Sequence, residues 1–176
     1  MSNQQPPLFP AGEFIPPGVY DAAQRAKYVE QLQHAPQLIR DTVADFDEAQ
    51  LDTRYRNWTV RQIVHHLADS HMNAFIRFKW TLTEELPLIK SYNETLWSEI
   101  VDARTTPIDC SLNLLDGLHY RWGELIKKLD DEQLERCYFH PEIGDQLSLN
   151  QALPSYVWHT NHHMAQVQWL RQTNDW

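Results

Sequence analysis

Residues 58–73 read Trp58-Thr59-Val60-Arg61-Gln62-Ile63-Val64-His65-His66-Leu67-Ala68-Asp69-Ser70-His71-Met72-Asn73. Thr59 followed by Gln62 has the form of a capping box, in which two side chains satisfy backbone N–H groups left free at a helix start. Trp58 before the cap and Ile63 after it can close a hydrophobic staple. The spacing predicts a helix from there to about Thr83, ahead of Pro87. Counted from Val60 at about 100° per residue, Ile63, Val64, Leu67, Phe75, Phe78 and Leu82 form an apolar stripe centred near about 0–20°. A helix with one such face has to bury it against other elements.

Those partners are predicted on either side. Asp21 with Gln24 resembles a capping box and opens a helix to about Phe46. Thr106 can cap a helix with Pro107 at its first position and Asp109 in its first turn, running to about Leu129. Ser148 with Gln151 caps a last helix to about Arg171, in which Pro154 should kink the first turns or delay the start. No convincing period-2 strand is visible. The fold class is therefore all-α, a four-helix bundle. The link of about residues 84–105 is long, holds a short helix around Glu94–Ile100, and permits a crossover. Five of the ten prolines fall in residues 5–17, so residues 1–20 read as an extended N-terminal arm and 21–176 as a single bundle domain.

At 176 residues with 42% hydrophobic and 22% charged side chains, the chain has the composition of one globular domain. Only five glycines argue against a turn-rich β architecture. Fifteen basic against twenty-four acidic residues give −9, which speaks against a nucleic-acid partner. No stretch approaches the ~18 apolar residues of a membrane span. The N-terminus has neither the basic nor the apolar region of a secretory signal. Cys110 and Cys137 lack metal-site or framework spacing, as expected of reduced cysteines in a cytoplasmic protein.

Nine histidines are present, six of them in the windows 65–71 and 159–163. With His159 at zero, His163 falls at about 40°, beside Ala152, Tyr156, Val167 and Leu170 on one largely apolar stripe. His159 and His163 therefore point inward together, while His162 lies about 60° to the other side. Two imidazoles four apart can grip one metal ion, as in HExxH helices, but the glutamate base of that motif is absent here. Without a metal, each inward imidazole needs a core hydrogen-bond partner. On the Val60 helix, His71 lies in the stripe at about 20°, His65 at about 140° and His66 at about 240°. Periodicity alone chooses His71 as the inward residue, and leaves open whether a flank of that helix faces a cavity.

Tyr55-Arg56 with the 58–73 stretch, Phe139-His140-Pro141-Glu142, and Tyr156-Val157-Trp158-His159-Thr160-Asn161-His162-His163 together resemble the YfiT-like branch of the DinB superfamily, from about residue 10 to the C-terminus. The resemblance implies a four-helix bundle holding one divalent metal per chain. Its ligands would be the second histidine of His-His-Leu and the two C-terminal histidines spaced by four: His66, His159 and His163. That choice favours His66 over His71, and makes His65, His71 and His162 neighbours of the site. A single Asn57 replaces the glycines usual before the Trp, which alters the site rim, and Pro154 is also atypical. The resemblance further implies a homodimer.

Three neutral imidazoles leave room on a metal for water or substrate, whereas structural zinc is normally closed by four protein ligands. Zn2+ and Ni2+ both suit imidazole, with Zn2+ the first expectation. A metal-activated water makes the first functional reading a metal-dependent hydrolase of a small-molecule substrate. A metal-activated thiol gives the alternative, a thiol S-transferase using a low-molecular-weight thiol such as bacillithiol, as in related superfamily members. A non-catalytic metal-binding module is the third reading. Asp69, with Ser70 and Asn73, shares a face with His66 and is the candidate base or orienter. Its competing role is that of an ordinary surface carboxylate.

Overall fold

A computed structural model describes residues 5–18 and 20–176, so that residues 1–4 and Val19 of the arm lie outside the described residues. In chain order the elements are α1 (Ala22–Val43), α2 (Glu48–Leu51), β1 (Arg54–Tyr55), β2 (Trp58–Thr59), α3 (Val60–Thr83), α4 (Glu94–Ser98), α5 (Val101–Thr105), α6 (Asp109–Ile126), α7 (Asp131–Leu134), β3 (Cys137–His140), β4 (Asp145–Ser148) and α8 (Leu149–Asn174). The four long helices α1, α3, α6 and α8 are the predicted bundle.

Local chemistry explains most boundaries. Thr59 and Gln62 exchange reciprocal bonds at the start of α3, and Ser148 and Gln151 do the same at α8. Asp21 accepts from the Gln24 amide without the return bond, so α1 has a one-sided cap. Thr106 does not cap α6. It closes α5 instead, and its carbonyl is drawn to Arg61 and His65 of α3. α6 starts later, at Asp109, behind Ile108 with no side-chain cap. α1 ends at Val43, where Asp45 turns left-handed (φ 63°). Pro154 does not delay α8, which begins at Leu149 and passes through it.

Two small hairpins appear where no strand was expected. β1 pairs with β2, and β3 with β4 in the register Cys137↔Ser148 to His140↔Asp145. The second hairpin closes through Gly144, whose left-handed φ of 72° lets its N–H reach the His140 carbonyl at 2.8 Å. β3 also bonds the long link: Ile89 N–H donates to Phe139 O and Phe139 N–H to Pro87 O. That link holds two short helices, α4 and α5, in place of one.

α1 packs on α6 and α8, and α3 packs on the same two, so α1 lies diagonally from α3 and α6 from α8. In a simple up-down-up-down bundle successive helices are neighbours. The interior is divided along its length. One apolar cluster gathers Ile39, Val43, Ile63, Leu67, Leu115 and Val167; the other gathers Leu32, Phe78, Trp122, Ile126, Leu149 and Leu153. Between them, on α3, α6 and α8, lie the buried imidazoles of His66, His71, His119 and His163.

Candidate metal centre

α3 brings His66 against α8, whose i, i+4 spacing stacks His159 and His163 on one face. The Nε2 atoms of His66 and His163 each lie 3.1 Å from Nε2 of His159. All three ligand atoms fall within 4.8 Å of one another. Trp58 of β2 packs on the His66 ring at 4.4 Å between centroids and stacks on His163 at 5.9 Å. Every residue of α3 from Val60 to Ala68 is buried. The first two turns of that helix therefore have no solvent side, which is why His66, off the apolar stripe, still faces the interior.

Burial pushes all three imidazoles below their ordinary pKa, His163 to about 4, so they are neutral at pH 7. His163 Nδ1–H donates to Gln166 Oε1 at 2.8 Å, which leaves its Nε2 bare. The Gln166 amide nitrogen donates in turn to His162 Nε2 at 3.0 Å, and the His162 ring stacks on Trp158. A proton on His159 Nε2 can point at only one of its two close neighbours, which leaves the other contact without a hydrogen bond. A cation among the three nitrogens removes that shortfall. Tetrahedral zinc with bonds of about 2.0–2.1 Å would place its nitrogens about 3.3 Å apart, near the 3.1 Å seen for two of the three pairs. The donor set thus fits a divalent ion with coordination left over.

The other singled-out residues are distributed around this trio. His71 is buried as its stripe position predicts, but its Nδ1 bonds Nε2 of His119 at 2.8 Å. His65 accepts from Ser111 and donates to Thr106 O, a structural role. Asp69 is half-buried, with its carboxyl raised to about 6 by burial and then by the charge of Asp102. Among the described residues its carboxylate bonds no imidazole, and its carbonyl accepts from Asn73. Gln166 and His119 escaped the sequence reading. The i+3 offset from His163 was the only signal for the first; the second, partnered 48 positions away, had none.

A pocket of about 310 Å³ opens onto His162, His163 and Gln166, with Asn57 on its rim and Tyr55, Arg56, Trp58 and Glu94 in its walls. Leu8 and Phe9 of the arm complete it. The arm is tied there by Tyr55 Oη to Pro7 O, Arg56 to Pro6 O, Trp158 Nε1 to Gly12 O, and Phe9 against the His162 ring. A larger groove of about 500 Å³, between α1 and the end of α6, lies away from the trio. Cys110 and Cys137 line neither.

Residues 31–167 match the model of the DinB superfamily. A provisionally named metal-dependent hydrolase of Bacillus licheniformis is 46% identical over 170 residues, 96% of this chain and 97% of that one. YfiT of Bacillus subtilis, named in the same way, is 44% identical over 96% of each chain. A solved structure of YfiT superposes with a TM-score of 0.92 over 96% of this chain and 97% of that one. It is described as a probable metal-dependent hydrolase with an unusual four-helix bundle topology.

Proposed function

This chain belongs to the DinB superfamily, and on that premise we propose that it is a metal-dependent hydrolase of a small molecule, with His66, His159 and His163 as the metal ligands. The observation that carries the reading is the convergence of three neutral Nε2 atoms beside an open pocket. A divalent cation, Zn2+ before Ni2+, supplies Lewis acidity to a water or other group reaching it from the pocket. The chain's own part is to hold the three nitrogens bare, dry on the core side and open on the other. Trp58 and Phe9 offer apolar walls; Arg56 and Glu94 offer charge to orient a polar substrate. Asp69 keeps its place as candidate base or orienter, since a carboxyl near pH 6 exchanges protons readily in the neutral range. The homodimer and the cytoplasmic location belong to the same proposal; among the described residues no helix is long and apolar enough to cross a membrane.

Metal content and turnover of His66→Ala, His159→Ala and His163→Ala test it. Wild type should carry one zinc per chain and each variant should lose it. Stoichiometric metal in all three variants overturns the ligand assignment. A panel of esters and amides, run with and without a low-molecular-weight thiol, separates hydrolysis from thiol transfer: consumption only with thiol overturns the hydrolase.

A further inference from the structure

Among the described residues, the buried ring nitrogens without a partner include two that lie beside the trio toward the core, Nδ1 of His159 and Nε2 of His71. Their rings lie 5.8 Å apart between centroids. Their hydrogen-bonding needs are opposite. With its Nε2 given to a cation in the trio, neutral His159 carries its proton on Nδ1, a donor. The state of His71 is fixed from the other end. Leu32 O can only accept, so the His119 Nδ1 bonded to it holds that ring's proton. His119 is neutral, since burial pushes it down to about 4. Its Nε2 is therefore bare and accepts from His71 Nδ1–H at 2.8 Å. Neutral His71 then has a bare Nε2, an acceptor.

We propose that His71 and His119 are positioning residues for His159, in a directed relay from His159 Nδ1–H to His71, from His71 to His119, and from His119 to the Leu32 carbonyl. The proposal deepens, and rests on, the reading of the trio as a metal centre. His71 and His119 show how a bonded pair looks in this interior, with centroids 4.9 Å apart. His159 stands about 0.9 Å farther from His71, a gap that the relay requires to close into a bond of ordinary length. The four members come from four helices: Leu32 from α1, His119 from α6, His71 from α3 and His159 from α8. A main-chain carbonyl that cannot donate thus dictates the tautomer of a side chain across the bundle, and leaves its Nε2 lone pair free for a cation. Partners of this kind are worth about 10–100-fold in metal affinity.

Two measurements test it. In zinc competition against a chromophoric chelator, His71→Leu should bind about 10–100-fold more weakly, while His71→Gln, whose amide supplies both a donor and an acceptor, should recover most of the loss. In metal-free wild type, ¹⁵N shifts should show His71 and His119 protonated at Nδ1 and bare at Nε2. Unchanged zinc affinity in folded His71→Leu, or a His71 protonated at Nε2, overturns the relay. If His71→Leu does not fold, the ring shifts of the wild type decide. Zinc bound equally by wild type and His159→Ala would sink the metal centre instead, and the metal-free tautomers judge the relay apart from that outcome.

Discussion

Gln166 accepts the Nδ1 proton of His163 and ties it to His162, so one amide orients two rings. Gln166→Leu removes the acceptor while keeping bulk. Zinc affinity is expected to drop about 10–100-fold with the helical circular dichroism unchanged, and Gln166→Glu, which still accepts, should bind within a few-fold of wild type. Equal affinity in the Leu variant would show that Gln166 does not orient the ligand. At this scale the sequence was partly readable. His159 and His163 announced themselves because the other four residues on their stripe are largely apolar and helix geometry is fixed. His66 needed the resemblance, because a stripe predicts burial only where the opposite face meets solvent, and here α8 and Trp58 cover that face. The His71–His119 bond joins positions 48 apart and follows no local rule.

The hinge between hairpin and helix is Ser148, which ends β4 and caps α8 through reciprocal bonds with Gln151. Ser148→Ala removes the acceptor of the Gln151 N–H at the start of the helix that bears His159 and His163. It should cost about 1 kcal/mol in urea unfolding, with an unchanged m-value. A midpoint equal to wild type would mean that the Gln151 return bond suffices alone. Capping boxes were legible because they involve only four consecutive residues. Thr106 misled because its carbonyl answers to Arg61 and His65, some 40 residues earlier. The β3–β4 hairpin was missed because its strands have four residues each and only Tyr138 and Ser148 are buried. Such alternation is too short to stand out from the surrounding chain.

For the molecule as a whole, a layer of neutral imidazoles between two apolar clusters makes stability depend on acidity. His119 is held to about 4 in the fold against 6.5 in the open chain. The unfolded state takes the proton first, so stability is untouched above pH ~6.5 and is lost as pH falls from there toward 4. By pH 4 this residue alone costs about 3 kcal/mol. His66, His71, His159 and His163 are shifted in the same direction, also by burial first. Asp69, raised to about 6, acts in the opposite sense: its contribution is full below its unfolded pKa and fades as pH rises through 6. One half-buried carboxyl offsets only a part. Urea midpoints of metal-free protein should fall steadily from pH 7 to 4.5, and a flat profile would contradict a neutral imidazole layer. Four helices implied a bundle, but the diagonal placement of α1 and α3 was not legible, since amphipathic faces say that helices pack and not which pairs do.

The arm carries a practical warning for whoever purifies this protein. Pro6 and Pro7 are fastened to Arg56 and Tyr55, and Leu8 and Phe9 wall the pocket, so the described start of the arm lies at the doorway. A polyhistidine tag placed there would hang spare imidazoles within reach of the trio. If the trio holds a metal as proposed, such a tag would compete for its open coordination positions, inflate the measured metal stoichiometry and obstruct small molecules, whereas a removable tag behind Trp176 avoids the doorway.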